Sequence, residues 1–230
     1  MNLAPIGHLR GPFAEKFGTP RQPGLVPEVE AVVELLAPWN TGDAVRGLEG
    51  FSHVWLLFGF HLNDPVSPAR STVRPPRLGG NERLGVFATR SPYRPNPVGL
   101  SLVKVRQVLP DRLVVAGADL VDGTPVYDIK PWLPWADRPV QGEREGGGFA
   151  GAPPESQLEV IFAPGVEGHP LAPELKQILS FDPRPAYQRG DAGRLYGMAY
   201  AGHEIQWQVD DKKKQLQVVA IRNSIDKGPE

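Results

Sequence analysis

Apolar residues come in short bursts along most of this chain, separated by polar and turn-forming positions. The stretches HVWLLFGF (53–60), LGVFA (84–88), LVKVRQVL (102–109), RLVVAGA (112–118) and PVYDI (125–129) are brief and rich in β-branched and aromatic residues. Each is bounded by Gly, Pro, Asp or Asn, which predicts strands. LPDR (109–112) is a hairpin signal between two of them. Strands that follow one another with few helical patterns between them predict an antiparallel sheet or barrel, not βαβ units. No long helix is expected in residues 1–140.

The pattern changes at QGEREGGGFAGAPP (141–154), whose five glycines and two prolines predict a linker or long loop. Behind it, PELKQILSF (173–181) is a helix candidate. Pro173 suits its first turn, and Leu171, Leu175, Ile178 and Leu179 fall on one apolar face. RLYGMAYA (194–201), EIQWQV (204–209) and QLQVVAI (215–221) then predict strands, with AGH and DDKKK as hairpin turns. The expected architecture is mainly β. An antiparallel N-terminal sheet or barrel spans 1–140, a linker 141–155, and a small α+β domain 156–230.

Composition adds constraints. Gly 26 and Pro 26 argue against a helical bundle. With Cys 0 there is no disulfide framework, thiolate nucleophile or Cys-based zinc site, and a reducing cytoplasm is the expected location. The N-terminus shows no charged-then-apolar leader pattern. VWLLFGF (54–60) is far too short to span a bilayer. A net charge of −1 gives no global case for nucleic acid, so any such case depends on where the arginines lie.

They lie together. Arg70, Arg74, Arg77, Arg83, Arg90 and Arg94 face one acid, Glu82, within residues 70–94, with Tyr93 and several prolines interleaved. The stretch RSPYRPNPVG (90–99) has three prolines, which exclude a helix or central strand and predict a stiffened loop. Guanidinium groups hold phosphates bidentately and a tyrosine ring stacks on an unpaired base. The same residues also suit a solvated loop with internal ion pairs. His53 and His61 share parity on one extended segment, but a histidine pair without clustered carboxylates is more often structural than a metal site, so no metal is expected. His61, at a strand end, is a binding candidate. GGGFAG (146–151) matches the string G-x-G-x-x-G but lacks the flanking strand and helix, so it is linker. Asp122-Gly123 is a tight-turn pair whose carboxylate suits either backbone or ligand. A hydrolase using Ser52 or Ser91 has no nucleophile-elbow context.

Four stretches together resemble the TrmO/TsaA-like (once YaeB-like) family of tRNA methyltransferases. They are FGTPRQPGL (17–25), AVRGLEGFSHVWLLFGFH (44–61), TVRPPRLGGNERLGVFATRSPYRPNPVGLS (72–101) and DLVDGTPVYDIKPWLPWAD (119–137). DPRPAY (182–187) looks like the corresponding family segment in the C-terminal part. The resemblance implies a β-barrel domain that binds S-adenosylmethionine, a small C-terminal domain, and a homodimer. It implies methylation of the exocyclic nitrogen of threonylcarbamoyl-adenosine beside the anticodon of threonine tRNA.

Carried onto matching positions, the resemblance implies cofactor contacts at Pro20, Arg21, Gln22 and Pro23, at His61 and Leu62, and at Arg90 and Leu100. It implies more along Asp119, Leu120, Asp122, Gly123, Thr124 and Pro125. The tRNA anticodon arm is then expected at Arg74, Arg77, Tyr93, Arg94 and Asn96, with Asn96 orienting the target nitrogen and Asp122 a candidate base. The alternative is a non-enzymatic barrel that senses S-adenosylmethionine or another adenosine ligand, which has no need of the arginine patch.

Overall fold

A computed structural model describes residues 3–63, 71–138, 146–184, 188–191 and 193–224. The first half consists of β1 (Gly7–Arg10), β2 (Glu30–Leu35), a short helix α1 (Gly42–Val45), β3 (His53–Gly59), β4 (Thr72–Val73), β5 (Leu84–Gly85), β6 (Val98–Leu109), β7 (Arg112–Ala116) and β8 (Pro125–Pro131). Among the described residues, six of these strands close into a barrel in the order β1-β2-β7-β6-β3-β8, every pair antiparallel. Closure removes the edges that an open sheet would present.

Period-2 alternation explains the barrel interior. β2 buries Ala31, Val33 and Leu35, and β3 buries Val54, Leu56 and Phe58. Leu9, Val103, Leu113, Val115 and Val126 meet them in one core. Each such side chain contributes about 1.5–3 kcal/mol of burial.

The second half holds β9 (Glu159–Phe162), α2 (Ala172–Ser180), β10 (Tyr196–Tyr200), β11 (His203–Asp210) and β12 (Gln215–Asn223). They form a sheet ordered β10-β11-β12-β9, with β9 parallel to β12. Helix α2 buries Leu175, Ile178 and Leu179, the predicted face. The β10–β11 turn has both Ala201 and Gly202 at positive φ, the two-residue geometry that matches strand twist.

The sequence pattern and the structure differ in several places. β1, β2 and β9 were not anticipated. LGVFA is not one strand: Leu84–Gly85 pairs only with β4, and Val86–Ala88 is a 3-10 turn that leaves Phe87 79% exposed. β6 starts four residues earlier than expected, so Val98 and Gly99 of the stiffened stretch belong to a strand. Residues 12–29, although N-terminal, pack against the second sheet: Phe13, Val26 and Val29 share a core with Trp207, Tyr200 and Leu179. Arg70, residues 141–145 and residues 185–187 lie outside the described residues.

Candidate active site

Three parts of the barrel meet at one end. β3 finishes, β6 begins, and the β7–β8 connection crosses β1 through Leu9 N–H to Thr124 O (2.9 Å) and Gly123 N–H to Leu9 O (2.8 Å). A cleft of about 2720 Å³ opens there. One drug-sized ligand needs about 300–1,000 Å³, so the cleft has room for a small molecule and part of a larger partner. Loop 71–94 forms one wall and the leg 16–26 another. Ile178, Phe181, Arg189 and Lys214 of the second sheet's unit line the far side.

The cleft gathers most of the residues singled out from the sequence. Pro20, Arg21, Gln22, Pro23, His61, Leu62, Arg90, Leu100, Asp119, Leu120 and Thr124 line it, as do Arg74, Arg77, Tyr93 and Arg94. Asp122, Gly123, Pro125 and Asn96 fall outside its lining. His53 and His61 are not brought together. They sit at opposite ends of β3, His53 against Trp132 and Ser52, His61 beside Gly123. Among the described residues, no group of three or more His, Asp or Glu is placed to hold a metal ion.

The two aspartates of DLVD have different surroundings. Asp122 accepts a hydrogen bond from Gly11 N–H (3.0 Å) and stands 3.9 Å from the Arg10 guanidinium, which ties the connection to β1. Its carboxylate braces the backbone, which weakens its candidacy as a base. Asp119 is half-buried in the cleft wall and accepts a hydrogen bond from the buried Ser101 hydroxyl. Burial pushes its carboxyl above the ordinary aspartate value, and the Ser101 hydrogen bond and the Arg90 charge only partly offset this. Arg90 donates to Gln22 Oε1 (2.7 Å), and its charge is felt at Asp119, so it stands between the PRQP loop and the Asp119 segment. Burial lowers the pKa of His61; Asp122 opposes that shift and His8 adds to it. Its imidazole is therefore neutral at pH 7.

The arginine loop is held from within. Arg94 Nη1 donates to Thr89 O (2.7 Å) and Val86 O (3.3 Å), so part of its guanidinium braces the loop. Arg77 donates to Ala152 O (2.5 Å), pinning loop 71–94 to the linker. Exposed Phe87, Tyr93, Leu100 and Leu62 border the same cleft. Two residues here were missed. Phe87 was read as part of a strand, where its ring would pack; the turn at Val86–Ala88 leaves it in solvent, 6.0 Å from the Arg94 guanidinium carbon. Ser101 carried a signal, a hydroxyl at an inward position of an apolar strand.

This fold and cleft define a barrel protein with a half-buried carboxylate in a composite pocket and a rim of arginines and exposed rings suited to RNA. Two family models match the chain. The tRNA-methyltransferase O N-terminal domain covers residues 8–138, and the TrmO C-terminal domain covers residues 155–224. The chain belongs to the tRNA-methyltransferase O family.

The tRNA (adenine(37)-N6)-methyltransferase of Escherichia coli K12 is 44% identical over 220 residues, covering 90% of this chain and 92% of that protein. A candidate S-adenosylmethionine-dependent methyltransferase of Pseudomonas aeruginosa is 44% identical over 215 residues, with 90% and 91% covered. A crystal structure of TrmO from Pseudomonas aeruginosa superposes with a TM-score of 0.79 at 35% identity, covering 97% of this chain and 98% of that one.

Proposed function

We propose that this protein transfers a methyl group from S-adenosylmethionine to the exocyclic nitrogen of threonylcarbamoyl-adenosine, beside the anticodon of threonine tRNA. The activity named for its relatives over nine-tenths of both chains supports the methyl transfer and the tRNA. The observation that carries the reading is the arrangement around Arg90, which bonds Gln22 of the PRQP loop and sets its charge near Asp119, with the arginine and aromatic rim opening beside it.

The cleft fits such a cofactor. Its lining offers a carboxylate and a neutral imidazole for polar groups, an arginine for a carboxylate, and Pro20, Pro23, Leu100 and Leu120 for an adenine face. Pro20, Arg21, Gln22 and Pro23 hold it on one side, and His61, Leu62, Arg90 and Leu100 on another. Asp119, Leu120 and Thr124 form the floor, and Asp122, Gly123 and Pro125 of the same segment tie it to β1 from outside the lining. When bound, S-adenosylmethionine supplies an electrophilic methyl on a sulfonium centre.

The residues of this chain do the rest. Tyr93 stacks on a splayed base, Arg74, Arg77 and Arg94 meet phosphates, and Asn96 orients the target nitrogen. As the N–C bond forms and the C–S bond breaks, the nitrogen gives up its proton. Asp119, with its raised pKa and its place in the cleft wall, suits proton acceptance better than Asp122. Most of the acceleration comes from holding the nitrogen and the methyl group in line.

The barrel domain (1–140), linker (141–155) and C-terminal domain (156–230) are part of this reading, and the gap between the two family matches supports the division. So are a homodimer and a cytoplasmic location. Light scattering is expected to report about twice 25.1 kDa, and a monomer that still methylates refutes the need for a dimer. Among the described residues, no helix is long and apolar enough to cross a membrane.

The central test is single-turnover methylation of threonine tRNA with and without the threonylcarbamoyl group, followed by mass spectrometry of the nucleosides. Transfer only to the modified tRNA is expected. Transfer to neither, with cofactor still bound, replaces this reading with the ligand sensor.

A further inference from the structure

The leg that leads into the PRQP loop is built into the other half of the molecule. Ala201 N–H donates to Pro12 O (2.8 Å), and Ala199 N–H to Glu15 Oε1 (3.0 Å), both from the end of β10. Phe13 is buried against Tyr200, their ring centres 5.2 Å apart. Phe17 stacks flat on Trp207 of β11, at 5.8 Å and 7°. Gly18, at φ +87, lies so close to Met198 that a Cβ there would stand 2.3 Å from its sulfur. Past the loop the chain returns to the barrel: Gly24 N–H donates to Gly117 O (2.9 Å) and Gly117 N–H to Val29 O (2.9 Å). The loop is thus supported at both ends, by the C-terminal sheet at its start and the end of β7 at its finish, with Arg90 bonded to Gln22 between them.

We propose that the C-terminal unit positions the cofactor-contacting loop: Phe17 on Trp207, and Gly18 on Met198, set the path of residues 19–23 and so the place of Arg21 and Gln22 in the cleft. The proposal rests on the reading that Pro20–Pro23 contact the cofactor. Its physical basis is that a leg held by stacking, two hydrogen bonds and a close backbone approach has few conformations left. Loss of the stacked ring frees the leg but leaves intact the main core of the sheet, where Leu216, Val218, Ile205 and Leu179 remain buried. Phe17 is itself only partly buried, so its truncation leaves a smaller defect than truncation of Trp207. These are positioning residues, because they act on the cleft through the loop.

The test uses the full chain and three variants, Phe17→Ala, Phe17→Tyr and Arg21→Ala, with thermal melting to establish that each is folded. Tryptic cleavage after Arg21 under native conditions reports the freedom of the loop. Calorimetry with S-adenosylmethionine reports its use. If the leg spends about nine-tenths of its time out of place in Phe17→Ala, the cofactor Kd rises about tenfold and cleavage speeds up in parallel. KM for the cofactor rises while kcat holds, tRNA affinity is unchanged, and Phe17→Tyr restores all three to near wild type. A purely structural role for Phe17 lowers the melting temperature without moving Kd or cleavage. Wild-type cleavage and wild-type Kd in folded Phe17→Ala overturn the proposal. So does a Kd that weakens in Arg21→Ala alone. If neither Phe17→Ala nor Arg21→Ala weakens binding, the cofactor reading of the loop fails, and the proposal with it.

Discussion

At the scale of single residues, charge and exposure around the cleft separate the roles. Phe87 is the most exposed ring on the rim, with the Arg94 guanidinium carbon 6.0 Å from its centre. Stacking on a base is worth about 1–3 kcal/mol, so Phe87→Ala and Tyr93→Ala are each expected to weaken tRNA binding by that amount with little change in salt dependence. A phosphate contact behaves differently. Arg74→Ala is expected to reduce the slope of log affinity against log salt by about one unit or less, while cofactor affinity stays put. Fluorescence anisotropy across a salt series distinguishes the two.

Asp119 adds a pH signature. Its pKa is raised in the folded protein, so the carboxylate takes up a proton at higher pH than an ordinary aspartate does. If it accepts the proton, single-turnover rate falls as pH drops through that raised value, above the usual aspartate range. Asp119→Asn is expected to lower the rate and erase that limb; a limb that survives the substitution assigns the base elsewhere.

At the scale of elements, the strands illustrate what alternation reveals and what it hides. β3, β7, β8 and the three C-terminal strands β10–β12 were legible because they are brief runs rich in β-branched and aromatic residues that turns punctuate. β1 and β9 have four residues each, too few for a period to show. β2 alternates well, but it stands apart from the longer apolar runs. LGVFA failed for a different reason: an apolar run makes a strand only when a neighbour pairs with it, and here only two residues find one. The loop segments of the cleft were legible through motif resemblance and through the arginine cluster. Phe87 was not, since it depends on a turn that no apolar count anticipates, and Ser101 showed only as a hydroxyl whose role depends on which face its strand turns inward.

Close packing within the sheet gives another test. A Cβ on Gly99 would sit 2.2 Å from the Phe58 ring, across the β3–β6 pair. Gly99→Ala is therefore expected to cost about 1–3 kcal/mol in denaturant unfolding, the usual penalty of overpacking. No loss of stability means that the ring moves aside freely.

At the scale of the whole molecule, a buried ion group holds the wall opposite the barrel. Arg184, 1% exposed, bonds Asp182 at 2.8 Å and Asp211 at 2.6 Å, and Asp211 also accepts Gly190 N–H at 2.7 Å. The Arg184 hydrogen bonds hold the Asp211 carboxyl below its ordinary value. A depressed carboxyl contributes stability that is present above its unfolded pKa and is lost as pH falls through the folded one. Urea midpoints are expected to fall in that acid window for the wild type, with a shallower fall for Asp211→Asn. Arg184→Met removes the buried partner of Asp182, leaving the half-exposed Arg189 at 3.4 Å to face it, and is expected to cost about 3–5 kcal/mol, as breakage of a buried pair usually does. The cleft that these parts enclose was only half legible. The barrel side follows from sequence segments, whereas the contribution of Ile178, Phe181, Arg189 and Lys214 depends on how two distant halves of the chain meet.

The threading of residues 12–29 through the second core also sets a timetable for synthesis. A ribosome releases the barrel strands well before it releases β10 to β12, and domains generally fold as they emerge. The barrel is then complete while the side chains of Phe13, Phe17, Val26 and Val29 still lack the sheet that buries them, whose last strand ends at Asn223. The nascent chain carries an apolar flap over its future cleft until β10 to β12 have emerged. Chains that stop short of β11 are accordingly expected to be folded in the barrel, sticky at that flap, and a target for chaperones, a state that the finished protein never shows.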